Sequence, residues 1–421
     1  MSEIKRYDTV IVGARAAGAS LAIELQRLGQ RVAVVDRATF PSDTMSSHVV
    51  YPNTLKRFER LGVLQEILDN GPPPLYTSWI HENRMFVAPH APIDGRDWAI
   101  CIRRITLDAI MVNKAREEGA DIYEGWTMTE LLGSGTEEDP VNGFIAKKGD
   151  QVIQFEADVV VGADGVNSTV ARLVGAQKRK IMPTDTMLYF AYWKDVDTRN
   201  TQDFFFEPPW VHAHFPADNG YHVITMNGPI SERANIKNMD DFYMERLKSI
   251  PALWSRLENA QKVSRVIGTP KLEGYYRDSV GPGWLLVGDS SHFKHPAGAQ
   301  GIGDALHASE AVAPMIVANN YRSEYPKWRE SVSRELYAFC KHLAEVPTDE
   351  GMRKVIDAAI ADPILARNLI DVWCRTSSPW KDVIPRAPFL AGIMGESVDA
   401  VLAPYEDEAE LPQVANQVAT A

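Results

Sequence analysis

Cysteine is scarce in this 421-residue sequence, and long hydrophobic runs are absent. The three cysteines, Cys101, Cys340 and Cys374, are far apart and form neither a CxxC pair nor a Cys/His cluster at zinc spacing. A disulfide-stapled fold is therefore excluded, no metal is expected, and a reducing cytoplasm is the expected compartment. No apolar stretch approaches the ~18 residues of a membrane span, and the N-terminus lacks a signal-peptide pattern, so we expect no integral membrane association.

Positive charge is also in short supply. The sequence has 44 Lys and Arg against 56 Asp and Glu, which leaves a formal net charge of −12 at pH 7. Coating nucleic acid or anionic lipid requires a positive field, so no nucleic-acid partner is expected. The apolar share of 45% and the charged share of 24% are ordinary for a globular protein, and the length suggests two or three lobes.

The first 36 residues have the pattern of a βαβ unit. The β-branched run 8–12 (DTVIV) precedes the turn GARAAG, a helical stretch and a second apolar run that closes on Asp36. Gly13 permits the tight turn, Gly18 permits close packing of the helix, and the helix N-terminus suits a pyrophosphate. Asp36, 23 residues after Gly13, can accept from ribose hydroxyls. The predicted dinucleotide site comprises Gly13, Arg15, Ala16, Ala17, Gly18, Asp36 and Arg37.

Arg15 departs from the usual G-x-G-x-x-G pattern, in which the middle position is glycine. A Cβ at this position hinders the closest approach of the backbone to a phosphate. Two interpretations stay open: the guanidinium reaches the phosphate itself, or it points into solvent.

Two further Gly/Asp motifs follow buried strands later in the chain. Gly162-Ala163-Asp164-Gly165 comes directly after the run ADVVV. The segment 284–304 (WLLVGDSSHFKHPAGAQGIGD) places Gly288-Asp289 at a strand end and a glycine-rich turn before a helix. Asp289 can bind a polyol hydroxyl, and the glycine-rich helix N-terminus presents amides to an electron-rich ring edge or an anion.

The order of these three motifs resembles that of the class A FAD-dependent monooxygenases of the para-hydroxybenzoate hydroxylase type, over roughly residues 6–330. The wider superfamily contains geranylgeranyl reductases and flavin-dependent halogenases. The resemblance implies FAD as cofactor, NAD(P)H as electron donor and O₂ as co-substrate. It implies a single-component enzyme that hydroxylates a phenolic or heteroaromatic small molecule through a flavin C4a-hydroperoxide.

The resemblance also assigns roles to individual residues. Gly13, Gly18 and Asp36 would hold the ADP half of FAD, and Asp164 would serve both FAD and NAD(P)H. Arg104 would contact the flavin nucleotide, with Arg103 as the competing choice. The ribityl chain and the flavin ring would contact Gly288, Asp289, Pro296, Gly298, Ala299, Gly301 and Ile302. Gly303 stands where hydroxylases usually have Asn, and the halogenase motif W-x-W-x-I-P is absent, which points away from that branch.

The expected fold class is α/β, with a Rossmann-like FAD-binding lobe of the GR2 type, an inserted mixed β-sheet substrate lobe and a helical C-terminal region. The FAD-binding lobe would comprise residues 1–72, 100–179 and 272–340, and the sheet lobe residues 73–99 and 180–271. Residues 341–404 would cover the substrate entrance or make a dimer contact, in a monomer or a homodimer. Residues 405–421 would form a flexible tail.

Aromatic residues are about a quarter of the stretch 188–226, against 9% of the whole sequence. They could line a dry pocket for a small aromatic or hydrophobic substrate, which oxygen transfer from a reduced flavin requires. Because side chains alternate across a strand, only about half of them can face such a pocket. The residues concerned are Tyr189, Phe190, Tyr192, Trp193, Phe204, Phe205, Phe206 and Trp210.

Histidine is the first choice for a catalytic base, since its unperturbed pKa suits the removal of a phenolic proton. The candidates are His48 near the flavin motifs, and His212, His214 and Tyr221 in the aromatic lobe. His212 and His214 would share one face of a strand, but no third ligand at suitable spacing supports a metal there. The alternatives are a reductase of prenyl or other unsaturated substrates, a halogenase-like protein and a flavin-fold binding protein without turnover.

Overall fold

The computed structural model describes residues 3–406. The predicted tail 405–421 falls mostly beyond this range: its first two residues end the last helix, and 407–421 lie outside the described residues. Within the described range, no helix is both long and apolar enough to cross a lipid bilayer.

The strands, numbered in chain order, are short except for the first and the tenth. They are β1 (Glu3–Val12), β2 (Val32–Asp36), β3 (Val49–Val50), β4 (Tyr76–His81), β5 (Arg84–Ala88), β6 (Ile100–Cys101), β7 (Asp121–Glu124), β8 (Thr127–Leu132), β9 (Gly143–Lys148), β10 (Gln151–Gly162), β11 (Lys178–Met182), β12 (Thr186–Lys194), β13 (Thr201–Glu207), β14 (Trp210–Pro216), β15 (His222–Pro229), β16 (Gln261–Lys262), β17 (Ile267–Thr269), β18 (Gly274–Arg277), β19 (Val280–Gly281), β20 (Trp284–Leu286) and β21 (His292–Phe293).

The helices are longest in the C-terminal third of the chain. They are α1 (Ala16–Arg27), α2 (Pro52–Leu61), α3 (Leu64–Asp69), α4 (Arg104–Glu117), α5 (Thr169–Leu173), α6 (Met239–Lys248), α7 (Pro251–Leu257), α8 (Gly301–Val317), α9 (Tyr321–Leu343), α10 (Asp349–Ala361), α11 (Pro363–Cys374), α12 (Ala391–Met394) and α13 (Val398–Glu406). Short 3₁₀ turns at Gly288–Ser290 and Pro296–Gly298 lie in the third motif.

The first sheet is Rossmann-like. Strands β20, β10, β1, β2 and β7 lie side by side and run parallel, and β19 adds an antiparallel edge. Helices α1, α4 and α8 cover one face, and the β8–β9 hairpin with α5 covers the other. Where both faces of a strand are buried, as at the end of β10 and along β20, the sequence is a continuous apolar run without polar alternation.

Strand β1 begins at Glu3, earlier than the predicted start at residue 8. The reason is β10, which begins at Gln151 and pairs with β1 from Glu3 to Val12. The first residues of β1 are polar and largely exposed, so hydrophobic patterning does not mark them as strand.

The second sheet has the order β16-β12-β15-β14-β13-β4-β5, and β17 also pairs with β12. Its pairs are antiparallel except β13 and β4, which run parallel, so the sheet is mixed. One face packs on α6 and α7 through residues such as Trp210 and Tyr243. The opposite face packs on the C-terminal helices α10 and α11 through residues such as Phe215 and Ile356.

The predicted fold class is confirmed: the chain is α/β, with a Rossmann-like sheet, a second, mixed sheet and a helical C-terminal region. Each sheet is assembled from distant segments. Strands β4 and β5 belong to the same sheet as strands β12 through β17, and strands β10 and β20 belong to the same sheet as β1 and β2. The residue boundaries proposed for the lobes stay a prediction.

The tight first turn of the βαβ unit provides a test of the fold. An ideal Cβ on Gly18 would lie 1.7 Å from the carbonyl oxygen of Gly13, and both atoms belong to constrained backbone. We expect Gly18→Ala to lower the melting temperature by several degrees or to prevent folding, since overpacking typically costs ~1–3 kcal/mol or more. Thermal unfolding followed by circular dichroism measures this. Gly392→Ala is the control, because its added Cβ meets no atom within 4 Å. An unchanged melting temperature for Gly18→Ala would contradict the expectation.

Candidate functional site

The three Gly/Asp motifs meet at the carboxyl edge of the parallel sheet. Gly13 has φ 103°, and an ideal Cβ on it would lie 2.4 Å from the carbonyl oxygen of Ala163 in the second motif. An ideal Cβ on Gly288 of the third motif would lie 2.9 Å from Cβ of Ala17. Segments that are more than 100 residues apart therefore form one surface, at the edge where parallel α/β sheets bind ligands.

Asp36 is held at this edge by backbone amides. Its Oδ2 accepts a hydrogen bond from the amide of Ala14 at 2.7 Å, and its Oδ1 accepts one from the amide of Ala38 at 2.7 Å. Each carboxylate oxygen has a further lone pair, so a ribose hydroxyl can still donate to this group. Arg37, the adjacent predicted residue, is exposed.

The guanidinium of Arg15 is held by protein partners and does not simply point into solvent, and its contact with a phosphate stays a prediction. Its guanidinium lies 2.6 Å from Oδ2 of Asp108 and donates to the hydroxyl of Ser42 at 2.9 Å. Asp108 is fully buried, and its other oxygen accepts from Nε and Nη2 of Arg104 at 3.0 and 2.9 Å. One buried carboxylate thus holds both arginines, and the three side chains together carry a single net positive charge beside the N-terminus of α1.

Arg103 and Arg104, the two candidates for flavin contact, have different partners. Arg103 donates from Nη2 to Oδ2 of Asp218 at 2.8 Å, and its guanidinium lies 3.6 Å from the ring centroid of Tyr221. This position joins the start of α4 to the turn between β14 and β15. Arg104 instead lies toward the motifs of the first sheet, since its charge acts on Asp289. The two arginines therefore have different partners, and which of them contacts the flavin stays a prediction.

Asp289 and Asp164 are carboxylates with limited solvation. Burial raises the pKa of Asp289 to about 6, although Arg104 and Lys294 act in the opposite direction. Burial also raises the pKa of Asp164, whose Oδ2 accepts from the amide of Thr169 at 2.6 Å and so caps α5. Oδ1 of Asp164 is buried and has no partner among the described residues. An unpartnered buried acceptor at this edge fits a ligand with hydroxyl or amide donors.

The predicted flavin-facing turn is shaped by close packing. An ideal Cβ on Gly298 would lie 2.6 Å from Sγ of Cys340, and Ala299 has φ 47°. An ideal Cβ on Gly303 would lie 2.7 Å from Oγ1 of Thr54 in α2, so the Asn usual at this position has no room here. Helix α8 begins directly after the turn, at Gly301, and its first amides are free to face a ligand.

A buried charge cluster behind this turn was missed by the sequence analysis. Asp304 forms ion pairs with Lys294 and Arg375, and all three side chains are largely buried. Burial opposes the charge of Asp304, but the two cations hold its pKa far below the usual range. Arg375 also donates to Oε1 of Gln300 at 3.1 Å. The ion pair between Arg375 and Asp304 therefore connects the C-terminal region to the turn. These two residues are 71 positions apart, so no local sequence pattern predicts their contact.

A cavity of about 370 Å³ opens between the mixed sheet and the C-terminal helices. The flavin-facing turn forms one boundary, through Pro296, Ala297 and Ala299. Trp373 of α11 forms another boundary and donates from Nε1 to the carbonyl oxygen of Ala297 at 3.2 Å. A molecule in this cavity would therefore lie against the turn that is predicted to face the flavin ring.

About half of the predicted aromatic residues face this cavity or its wall. Phe190, Phe204 and Phe206 line it directly, and Tyr192 packs on the same side of the sheet. The others, Tyr189, Trp193, Phe205 and Trp210, pack in the core under α6 and α7. The alternation of side chains along each strand accounts for the division.

His212 and His214 are corrections to the catalytic prediction, because the structure places them on the wrong face of β14. Val211, Ala213 and Phe215 line the cavity, so the histidines between them point toward the opposite face. Both are fully buried, and burial lowers the pKa of His212 to about 3. The alternation of side chains along a strand predicts that the two histidines share one face. It does not predict which face borders the cavity.

Tyr221 is a second correction. Its ring lies between Arg103, at 3.6 Å from the ring centroid, and Lys194, at 4.3 Å. The residue is not among those that line the cavity. It therefore stabilises the position of Arg103 and does not reach a substrate in the cavity.

His48 is the predicted histidine that stays near both the cavity and the nucleotide edge. Its neighbours Ser47 and Val49 line the cavity, and its ring lies edge-on to Phe190 with centroids 5.0 Å apart. Its backbone has φ 65°, a strained conformation that the surrounding structure must enforce. Burial, with a smaller effect of Arg104, lowers the pKa of His48 to about 3, so the ring is neutral near pH 7.

A hydrogen-bonded chain connects His48 to the surface. Nε2 of His48 lies 2.8 Å from the hydroxyl of Tyr192, which donates to Oδ1 of the exposed Asp43 at 3.1 Å. Nδ1 of His48 is buried and has no partner among the described residues. This arrangement can hold a proton at His48 and pass it through Tyr192 to Asp43.

The structure also gathers three residues whose spacing gave no metal pattern. Ligand atoms of His90, Asp371 and Cys374 lie within 4.8 Å of one another, and all three residues are buried. Sγ of Cys374 lies 3.2 Å from Nδ1 of His90, and Nε2 of His90 lies 3.2 Å from the hydroxyl of Thr77. Burial raises the pKa of the Cys374 thiol and lowers that of His90 to about 3, so a neutral thiol-imidazole hydrogen bond accounts for the group.

The comparisons with known proteins define the class. A family model described as an FAD binding domain matches residues 6–318, and the chain belongs to this family of FAD-binding proteins. Flavin-dependent monooxygenases, halogenases and a geranylgeranyl-type reductase are among its relatives, as the order of motifs implied. Halogenases are thus relatives even though the motif W-x-W-x-I-P is absent.

Individual relatives are distant but cover most of the chain. A 1H-pyrrole-2-carbonyl peptidyl-carrier protein brominase of Pseudoalteromonas luteoviolacea is 24% identical over 349 residues, 78% of this chain and 83% of that protein. The rifampicin monooxygenase of Streptomyces venezuelae is 25% identical over 395 residues, 87% of this chain and 78% of that protein. The crystal structure of a flavoprotein/dehydrogenase from Cytophaga hutchinsonii superposes with a TM-score of 0.79 at 17% identity, over 93% of this chain and all of that one, which shows the shared fold.

The residues at the nucleotide edge fit FAD. Two helix N-termini, the Asp36 carboxylate, the unpartnered Oδ1 of Asp164 and the net positive charge around Asp108 suit a pyrophosphate between hydroxyl-bearing groups. The family assignment independently supports the same cofactor.

Because Arg104 and Arg103 have different partners, we expect their replacement to have different effects on FAD affinity and on the melting temperature. We expect Arg104→Gln to weaken FAD binding about tenfold, because a charge-assisted contact is lost while Asp108 keeps Arg15 as a partner. We expect Arg103→Gln to lower the melting temperature and to leave FAD affinity nearly unchanged, because it strands the buried Asp218 carboxylate. Flavin fluorescence titration and thermal unfolding measure the two effects. Weaker FAD binding for Arg103→Gln than for Arg104→Gln would reverse the assignment.

Proposed function

We propose that the protein is an FAD-dependent, NAD(P)H-using monooxygenase that hydroxylates an aromatic small molecule, phenolic or heteroaromatic, held in the cavity. The observation that carries this proposal is the position of the cavity, which is bounded by Pro296, Ala297 and Ala299 of the flavin-facing turn and walled by Phe190, Phe204 and Phe206. Related proteins named as monooxygenases support the same reaction class. The expected setting is the cytoplasm, as a monomer or a homodimer.

FAD, when bound, supplies the redox chemistry between NAD(P)H, O₂ and the substrate. The protein's own part is to bind, to orient and to exclude water. The aromatic walls favour a flat apolar ligand and keep the reacting centre dry. Trp373, which is hydrogen-bonded to Ala297, fixes the C-terminal wall relative to the turn.

The chain of His48, Tyr192 and Asp43 would carry protons for this reaction. Nδ1 of His48 has no protein partner, so it can accept a proton at the inner end of the chain. Nε2 would release one to Tyr192, and Asp43 would exchange it with solvent. A neutral imidazole is required for this role, which agrees with the lowered pKa of His48.

A halogenase is the second candidate. The reason is that curated relatives include a brominase and a chlorinase named for carrier-bound pyrrole substrates. A reductase of unsaturated substrates is the third, since relatives include a digeranylgeranylglycerophospholipid reductase and a menaquinone reductase. Both alternatives use the same cofactor and the same cavity.

One experiment separates the three reactions. The purified protein is loaded with FAD, and NAD(P)H and O₂ consumption are followed with phenol, indole and prenyl substrates, with and without bromide. Substrate-stimulated NAD(P)H oxidation and a product that has gained one oxygen atom support hydroxylation. A brominated product supports the halogenase, and oxygen-independent gain of two hydrogens supports the reductase. A protein that takes up no FAD would overturn all three.

Filling the cavity tests where the substrate binds. Val211 lines the cavity from β14, and a larger side chain there would occupy part of its volume. We expect Val211→Trp to abolish substrate-stimulated NAD(P)H oxidation while FAD affinity is retained. Val87→Trp on the exposed face of β5 is the matched control and should behave as wild type. Full activity of Val211→Trp would place the substrate elsewhere.

Removing one hydroxyl tests the proton chain. Tyr192→Phe breaks the connection between His48 and Asp43 but keeps the ring and its edge contacts with His48 and Phe190. We expect kcat to fall about tenfold or more, with little change in FAD affinity, because acid–base assistance is typically worth ~10²–10⁴-fold. Steady-state kinetics as a function of pH measure this. A pH profile and kcat identical to wild type would contradict the role.

A further inference from the structure

His342 lines the cavity, and the proposed reaction assigns it no role. It lies near the end of α9 and faces the cavity with Phe339, one turn earlier on the helix; the ring centroids are 6.5 Å apart. Burial lowers the pKa of His342, Lys341 adds to this effect and Glu345 acts against it, and no hydrogen bond from the described residues contributes. The imidazole is therefore neutral near pH 7, with one N–H donor and one acceptor nitrogen available to a ligand.

The wall around His342 combines apolar stretches with several polar side chains, such as Ser47, Thr225 and Thr348. Its long sides are aromatic and aliphatic, through residues such as Phe204, Phe215 and Ile370. Among the described residues that line the cavity there is no lysine and no arginine, and the charged one is Glu345. A ligand carboxylate would thus lose its hydration without gaining a cation, which is costly. The cavity accordingly suits an uncharged ligand.

The sheet contributes a polar group at the same end of the cavity. The amide of Asp185 donates to the carbonyl oxygen of Ala344 at 3.0 Å, so the end of α9 docks on the residue just before β12. Three residues further on, Leu188 pairs in register with Asn227 of β15. Asn227 lines the cavity, and its Oδ1 is buried without a partner. His342 and Asn227 therefore present donors and acceptors from two facing walls.

We propose that His342 determines substrate choice at this site by hydrogen-bonding the hydroxyl group of an uncharged aromatic molecule. A hydroxyl both donates and accepts, as a neutral imidazole does, and the apolar walls enclose the ring that bears it. The inference rests on the proposed function in assigning the cavity to the substrate. It narrows the substrate class to an uncharged aromatic molecule with a hydroxyl group, and it assigns the residue that binds this hydroxyl.

Binding of three matched probes to the FAD-loaded protein tests the inference without turnover. The probes are 2-naphthol, naphthalene and 2-naphthoate, which share one ring system and differ in a hydroxyl, a hydrogen and a carboxylate. Titration calorimetry gives each dissociation constant. For the unmodified protein we expect 2-naphthol to bind about fivefold more tightly than naphthalene, as one hydrogen bond allows, and more than tenfold more tightly than 2-naphthoate.

Two variants of His342 distinguish recognition from packing. His342→Leu should bind naphthalene as the unmodified protein does but lose the preference for 2-naphthol. His342→Gln, which keeps a donor and an acceptor, should retain part of that preference. His307→Gln is the control, because His307 lies on α8 against Trp328 and does not line the cavity. It should leave all three dissociation constants unchanged.

Several results would overturn the inference. They are binding of 2-naphthoate as tight as that of 2-naphthol, equal losses for 2-naphthol and naphthalene in His342→Leu, and no binding of 2-naphthol at millimolar concentration. The proposed function fails separately, if no substrate gives an oxygenated product. The probe preferences would then still hold, because they are measured in the absence of NAD(P)H.

Discussion

The close approach of Gly13 to Ala163 is the constraint on which the site depends. No side-chain atom fits between these two backbones, and a second close contact joins Gly288 to Ala17. Three strand ends that are distant in sequence are thereby brought to one edge of the parallel sheet. The result is a surface of free amides, helix N-termini and carboxylates that fits FAD. Gly18 contributes to the same edge, because a side chain at this position of α1 would clash with the carbonyl oxygen of Gly13.

Buried carboxylates connect further segments of the chain through ion pairs with arginine and lysine side chains. Asp108 holds Arg15 and Arg104, Asp218 holds Arg103, and Asp304 holds Lys294 and Arg375. A buried ion pair contributes little net stability, because desolvation offsets most of the attraction. Its effect here is positional: removal of one partner leaves an uncompensated buried charge. The βαβ turn, the start of α4 and the C-terminal helices are therefore fixed relative to one another.

The cavity belongs to no single segment. The mixed sheet supplies its aromatic wall, the flavin-facing turn supplies one boundary, and α9 and α11 supply His342 and Trp373. Trp373 touches both the turn and the cavity, so the helical region is part of the site and not a separate cover. This answers in part what residues 341–404 do: they form a wall of the cavity.

Local sequence determined the nucleotide edge of this protein and the class of its fold. Glycines at fixed spacing, apolar runs before them and Asp36 after them are short-range features, and short-range sterics set their conformation. Arg104 matches the family's motif at the start of α4, and its contact with the flavin stays a prediction. The ion pair of Arg15 could not be predicted from the sequence, because its partner Asp108 is far along the chain and nothing local indicates the contact.

Only the tertiary structure decided which side chains line the cavity. Alternation along β14 paired His212 with His214, but the choice of face depends on whether α6 and α7 or α10 and α11 cover it. His342 lies in a long amphipathic helix, where a face toward a cavity has the same pattern as a face toward a solid core. Long-range packing decides which face of β14 carries His212 and His214 and whether His342 faces the cavity. The few residues around each histidine do not encode this packing.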